Sequence, residues 1–254
     1  MNPNTMTGHT FLASLGKTHL RPGGKKATEW LLEQAHITAS SRVLEVACNM
    51  GTTATRLAKT TGCRIDAVDL DQQVLQQAQK KIQAEGVSNL IHLHHANALN
   101  LPFDNNTFDV VINEAMLTMV PPTMKPRCVA EYFRVLKPGG VLLTHDVMLT
   151  ATPSMETQKE FDQALHLHVT PLSKNDWITL MRNGGAATID CITGRMSVLS
   201  LDGILHDEGW QGMMTILTNA MKTENITRFR KMYHAFNDEH NGLAFIALAS
   251  HKPA

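Results

Sequence analysis

The amino-acid sequence predicts an α/β protein: a seven-stranded, mostly parallel sheet with helices on both faces, an N-terminal helical lid and a helical insertion before the last strand. Three observations carry this. Short apolar runs alternate with amphipathic stretches over residues 42–150, and strands alternating with helices call for a parallel sheet covered on both sides. The runs are separated by glycine and proline breaks, the strongest being Lys137-Pro138-Gly139-Gly140. The 254 residues are 43% hydrophobic and 18% charged. A chain of this length can bury roughly 70–75% of its unfolded surface in one core. Residues 1–254 are therefore read as a single domain, with a lid (1–41), a ligand-binding core (42–150), a covering insertion (151–240) and a closing strand (241–254).

In chain order, Trp30, Leu31, Leu32, Ala35 and Ile37 give the N-terminal region a helix with an apolar face. Arg42–Ala47 reads as a buried strand, followed by a small-residue turn and a helix over Thr52–Thr60. Arg64–Asp69 is the second strand. Val74, Leu75, Ala78 and Ile82 then fall at helical spacing, with Gly86 as the cap. Leu90–Leu93 and Phe108–Ile112 are the third and fourth strands, and Lys125–Leu136 is a helix stopped at the Lys-Pro-Gly-Gly break. Gly140–Thr144 is the fifth strand, Ala186–Ile192 the sixth and Leu243–Leu248 the seventh. Between them, Lys174–Arg182, Trp210–Met221 and Ile226–Phe236 read as helices.

Charge and cysteine usage exclude several classes. Lys+Arg and Asp+Glu number 23 each, and a neutral balance argues against a nucleic-acid partner, whose affinity rests on a basic surface. No apolar run approaches the ~18 residues of a membrane span. Met1–Gly8 lacks the features of a signal peptide. Cys48, Cys63, Cys128 and Cys191 form no CxxC pair, a pattern that suits free thiols in a reducing compartment. A cytoplasmic location is expected, and a homodimer is among the assemblies left open.

In open α/β sheets, ligands bind beyond the carboxyl ends of the strands, so the turns there hold the candidates. The first turn, Glu45-Val46-Ala47-Cys48-Asn49-Met50-Gly51, is built of small residues that let a ligand approach the backbone. Asp69 ends the second strand, where a carboxylate can take both hydroxyls of a ribose. Asp71 reads as the cap of the following helix. Glu114, His145 and Asp146 follow the fourth and fifth strands and face the mouth, the latter two read first as loop-holding groups. Of thirteen histidines, His92, His94 and His95 cluster without a nearby carboxylate or cysteine, so no metal site is expected. The segment Gly16–Lys25, with Arg21, suits either contact with an anion or a plain linker. Met116, Met119, Met148, Met155, Met181, Met196, Met213 and Met214 read as core before acceptor pocket. Glu208, Trp210 and Tyr233 are further pocket candidates.

The run Val43–Gly51 resembles the first motif of class I S-adenosylmethionine-dependent methyltransferases. The resemblance continues through Ala67-Val68-Asp69-Leu70, Ala96–Phe103, Asn106–Val111 and Arg134–Gly140, in order, over about residues 42–150. Its Leu-Pro-Phe and Leu-Lys-Pro-Gly-Gly pieces point to the branch that methylates quinones, sterols and amines. The resemblance implies a Rossmann-like fold and S-adenosyl-L-methionine as cofactor, with S-adenosyl-L-homocysteine as product. It places Ala47, Cys48, Asn49 and Gly51 under the methionine part of the cofactor, and Glu45 toward its amino group. Asp69 would take the ribose hydroxyls and Leu70 the adenine face. Asn97, Ala98 and Leu99 would meet the adenine edge, and Arg21 the methionine carboxylate or an acidic substrate group. Asn113 and Glu114 would lie near the methyl group and the substrate, with Glu114 and His145 the candidates for catalysis. One departure stands out: Ala47 and Asn49 occupy positions where the family has glycine, compatible with the turn if φ at Ala47 stays negative.

The expected function is transfer of a methyl group to a small-molecule acceptor by direct in-line displacement, the cofactor supplying the electrophile and the protein the orientation. The alternatives are an RNA or protein methyltransferase, and a non-catalytic S-adenosylmethionine-binding regulatory protein. A nicotinamide oxidoreductase shares only the first turn and the acidic residue.

Overall fold

The computed structural model describes residues 6–151, 159, 162, 163, 166, 168–238 and 242–254. The sheet strands are β1 (Arg42–Val46), β2 (Arg64–Asp69), β3 (Ile91–His95), β4 (Phe108–Glu114), β5 (Leu136–Leu149), β6 (Leu172–Ser173), β7 (Thr188–Gly194) and β8 (Leu243–His251). Their order is β3-β2-β1-β4-β5-β8-β7, with β6 pairing β5 at the side. All pairings are parallel except those of β8, which runs antiparallel between β5 and β7. The expected seven strands are thus joined by an eighth of two residues. It is too short to carry a periodic signal and is held only by Met148 and Leu149.

Alternation within β1 splits the core in two, because successive side chains leave opposite faces of a strand. Val43 joins Ala27 and Leu31 of α2 (Gly24–Ala35), Ala54 and Leu57 of α3 (Thr52–Thr61), and Leu75, Ala78 and Ile82 of α4 (Gln72–Ala84). Leu44 and Val46 join Val129, Tyr132 and Phe133 of α5 (Lys125–Val135), and Trp177 and Met181 of α6 (Lys174–Gly184). Asp71 caps α4 as expected, its side chain accepting from the Gln73 and Val74 amides.

The helix before Lys137-Pro138-Gly139-Gly140 stops as expected, at Val135, but the following strand starts ahead of the motif rather than at Gly140. β5 begins at Leu136 and runs through it, with a register shift against β4 between Phe108 and Val110. Pro138 cannot donate to a ladder, but such irregular positions tolerate it.

A third apolar cluster is built mainly from helices and touches the sheet at Val147 and Leu243. Phe11, Leu12 and Leu15, at and just after α1 (Gly8–Ser14), pack with Ile204, Met213, Ile216 and Ala220 of α7 (Leu201–Ala220) and Met232 of α8 (Ile226–Asn237). α7 is broken at Gly209, whose φ of 69° and ψ of 178° lie outside the helical region. The segment after α1 is latched to α7. Lys17, fully buried, reaches Asp207 at 3.3 Å and Glu208 at 3.5 Å, and Glu208 also accepts from the Thr18 and His19 amides. The N-terminus and the insertion therefore form one cap, whereas α2 lies on the sheet. No helix among the described residues is long and apolar enough to cross a membrane.

Candidate active site

A cavity of about 650 Å³ lies between the carboxyl ends of β1, β2, β4 and β5 and the cap. This is the position where an open parallel sheet changes strand order, here between β1 and β4. The volume falls within the 300–1,000 Å³ typical of small-molecule sites.

The turn after β1 forms the floor. Ala47, Asn49 and Gly51 all take positive φ (57°, 51° and 65°), so the chain alternates into the left-handed region at three positions. Ala47 does not keep the negative φ expected of it. Asn49 adopts the left-handed region as expected, aided by its side chain, whose Oδ1 accepts from the Met50 amide at 2.7 Å. Left-handed alanine costs roughly 1–2 kcal/mol, while a glycine loses about 0.4–1 kcal/mol more through the freedom it gives the unfolded chain. Ala47→Gly is thus expected to raise stability by about 0.5 kcal/mol, read as a higher urea midpoint with unchanged slope. A lower midpoint would show that the methyl group packs well enough to outweigh the strain.

Ala47, Cys48, Asn49, Asp69, Leu70, Asn97, Ala98 and Leu99 line the cavity. Asp69 braces the floor, its Oδ2 accepting from the Asn49 amide at 2.9 Å and its Oδ1 from the Asp71 amide at 3.0 Å. Leu70 stands beside it 65% exposed, a large apolar side chain turned to the cavity rather than to the core. Asn97 closes a local turn by accepting from the Leu99 amide at 2.9 Å. Gly51 lies beneath the wall as the N-cap of α3. Asn113 is fully buried, 3.5 Å from the Val46 carbonyl, and is not part of the wall.

Behind the floor is a buried charge network. The Arg21 guanidinium contacts Glu114 Oε2 at 2.8 Å, approaches Glu45 Oε1 at 3.9 Å and donates to Thr53 Oγ1 at 3.0 Å. Glu114 also accepts from Thr28 Oγ1, Thr53 Oγ1 and His145 Nδ1. Arg21 and Glu114 reach the cavity wall; Glu45 and His145 do not. Gly23 donates its amide to His145 Nε2 at 2.9 Å, which puts the imidazole proton on Nδ1, pointed at Glu114. With both nitrogens engaged and no exposed surface, His145 is placed away from any substrate atom. Burial works to raise the Glu114 carboxyl, but Arg21, the His145 hydrogen bond and Thr28 outweigh it and hold it well below the ordinary range. It is accordingly a poor proton acceptor and a good counter-ion.

Glu45 moves the other way. Burial pushes its carboxyl up to about 8, with Arg21 opposing and Glu114 adding to the rise. Between the ordinary value near 4.5 and about 8 the folded chain holds a proton that the unfolded chain has lost. That contribution to stability is complete below pH 4.5 and disappears as the pH rises through 8, by at most about 1.4 kcal/mol per pH unit. Urea unfolding of the cofactor-free protein at a series of pH values is expected to show this decline, and Glu45→Gln to flatten it. An equal decline in both proteins would assign it elsewhere.

The far wall is apolar, with Met116, Met119, Val120, Met124, Val147, Val169, Met196 and Val198. Of the methionines flagged in the sequence, Met116, Met119 and Met196 line the cavity, Met148, Met181 and Met213 are buried in the cores, and Met214 is exposed. Met155 lies outside the described residues. Glu208 serves the cap latch, and neither Trp210 nor Tyr233 is on the cavity wall. Asp146 lines this part and holds the 3₁₀ turn Leu117–Met119 through Thr118. Thr118 and Leu12 were not legible as wall residues, since one sits within a short 3₁₀ turn and the other comes from α1. Among the described residues no group of three His, Cys, Asp or Glu could hold a metal ion. His94 instead bonds Asp66, and His95 the Leu70 carbonyl.

Residues 43–140 match a protein family described as a methyltransferase domain. An uncharacterized protein of Haemophilus influenzae is 50% identical over 245 residues, covering 96% of this chain and 98% of its own. A demethylmenaquinone methyltransferase of Lactiplantibacillus plantarum is 32% identical over 143 residues, 56% of this chain and 58% of the relative. Among solved structures, Haemonchus contortus phosphoethanolamine N-methyltransferase 2, in complex with phosphomonomethylethanolamine and S-adenosylhomocysteine, shares the fold. Its TM-score is 0.76 at 18% identity, over 96% of this chain and 57% of that one. Residues 43–140 thus belong to that methyltransferase-domain family, and the solved neighbour shows the shared fold.

Proposed function

We propose that the chain, working as one domain, transfers a methyl group from S-adenosylmethionine to a small-molecule acceptor by direct in-line displacement. The observation that carries this reading is the single cavity, which joins the Asp69–Leu70 wall to the apolar Met116–Val169 wall past Glu114 and Ala115. Such a space suits two ligands in contact. The cofactor, when bound, supplies a methyl group activated on sulfur.

The chain's own residues bind and orient. In this reading the left-handed backbone of Ala47–Gly51 forms a cradle for the methionine part, with Arg21 at the carboxylate and Glu45 behind the amino group. Asp69 accepts the two ribose hydroxyls with lone pairs left by the Asn49 and Asp71 amides. Leu70 packs on adenine, which accounts for a leucine standing 65% exposed on a cavity wall. Asn97, Ala98 and Leu99 present polar backbone and amide groups to the ring edge. The cap excludes water, and holding the two reactants in line is the main contribution to rate. Glu114 acts here by fixing Arg21, and His145 by fixing Glu114. A small acceptor agrees with the name of the quinone-directed relative.

Calorimetric titration of the purified protein with S-adenosylmethionine, S-adenosylhomocysteine and NAD tests the reading. Micromolar binding of both sulfur compounds and none of NAD is the expected result. Binding of NAD alone would overturn it.

A further inference from the structure

Asp146 is a buried carboxylate in the cavity wall whose only role so far is to hold the Leu117–Met119 turn. It is 1% exposed. Its Oδ1 accepts from Thr118 Oγ1 at 2.5 Å and from the Val147 amide at 2.8 Å, whereas Oδ2 accepts only from the Thr118 amide at 3.1 Å. An ionised carboxylate offers about four acceptor sites, so Oδ2 keeps one. Among the described residues Asp146 forms no ion pair, although buried carboxylates are normally paired. The neighbouring ammonium of Lys125 does not serve: its Nζ bonds the Leu117 and Val120 carbonyls and Thr170 Oγ1. Burial raises the Asp146 carboxyl, against the pull of Thr118 and the Val147 amide. Lys125 acts on Asp146 only at a distance, without a direct contact. Arg21 is the only Lys or Arg on the described cavity wall, and it is held by Glu114.

We propose that Asp146 is the specificity-determining residue for the acceptor. It accepts a hydrogen bond from a hydroxyl or amine on an otherwise apolar molecule, and the cavity rejects acceptors that carry a carboxylate or phosphate. This rests on the methyl-transfer reading of the same cavity. An N–H or O–H completes Oδ2 and an ammonium also forms the direct ion pair that Asp146 lacks among the described residues, while an anion would meet a second buried negative charge among methionines and valines. The shared fold does not carry this preference over from its neighbours, since the Haemonchus contortus protein is seen with a phosphate-bearing ligand.

The test uses octylamine, 1-octanol and octanoate, titrated calorimetrically at pH 7 into the full chain saturated with S-adenosylhomocysteine. Octylamine is expected to bind at least tenfold more tightly than octanoate, with octanol between. Asp146→Asn is expected to weaken octylamine at least tenfold while leaving S-adenosylhomocysteine affinity within twofold. The proposal is overturned if octanoate matches octylamine, if the variant binds octylamine within twofold of the parent, or if none of the three probes binds. Should the variant fail to fold, the amine-to-octanoate ratio of the parent still decides. Absence of S-adenosylhomocysteine binding, seen in the first step, brings down the methyl-transfer reading instead.

Discussion

Asp69→Ala is expected to weaken S-adenosylhomocysteine binding by two to three orders of magnitude. Hydrogen bonds to a charged acceptor contribute about 1.5–3 kcal/mol each, so two ribose hydroxyls on one carboxylate, each taken near the low end, amount to about 3–4 kcal/mol, at 1.4 kcal/mol per tenfold. A second effect acts in the same direction. Asp69 also holds the Asn49 amide, and without it the left-handed turn beneath the cofactor loses its brace. Asp69→Asn separates the two, because its single carbonyl oxygen accepts from one hydroxyl or from the turn but does not replace the carboxylate; a loss nearer tenfold is expected. Calorimetry on both variants, with circular dichroism to confirm folding, reads the result. A loss below tenfold for the alanine variant would place the ribose elsewhere.

Glu114→Gln is expected to lower stability by about 3 kcal/mol, at the low end of what removing one partner of a buried ion pair costs. For a chain of this size that corresponds to a fall in melting temperature of about 6–12 °C. The reason is local. Arg21, with only 14% of its side chain exposed, keeps near it the Glu45 carboxyl, at 3.9 Å and protonated below about pH 8, and Thr28, Thr53 and His145 lose a charged acceptor. The pH dependence gives a second signature. The Glu114 carboxyl is depressed in the folded chain, so its contribution is complete above the unfolded value near 4.5 and is lost as the pH falls toward the folded one. The parent should therefore lose stability below pH 4.5 and the variant should lack that component. The double variant Arg21→Met, Glu114→Leu is expected to recover part of the loss, since it leaves no charge unpaired. A melting temperature within 2 °C of the parent for Glu114→Gln would contradict the network.

The core of the sheet was legible because its information is local. Val43-Leu44-Glu45-Val46 and Phe108–Ile112 are short apolar runs bounded by turns, and a strand buried on both faces reads that way whatever surrounds it. The acid at the end of β2 was placed by its position after the strand and its neighbour Leu70 by the family resemblance, and the structure brings both to the cavity wall. Backbone sign was less legible. That Asn49 turns left-handed follows from its side chain, but nothing in an alanine announces the φ of 57° at Ala47; the strands and helix on either side impose it. β5 runs through a Pro-Gly-Gly signal for a similar reason, because Leu136 pairs with Phe108 ahead of it and Val141–His145 is held between β4 and β8 after it.

By itself the sequence determined the class of fold and the turn that floors the cavity, all within residues 42–150. Only the tertiary structure decided the rest of the cavity. Lys17 meets Asp207 across 190 positions, and the Gly23 amide reaches His145 across 122. Leu12, Val169 and Phe236 arrive on one wall from three separate parts of the chain. The same holds for the assignment of the acids. Glu114, His145 and Asp146 look alike in sequence, each just past a strand. Alternation along β5 turns His145 toward Glu114 and α2, and Asp146 toward Thr118 and the apolar wall. Motifs are fixed by neighbours a few residues away, whereas the charge state and exposure of a carboxylate depend on what the folded chain packs against it.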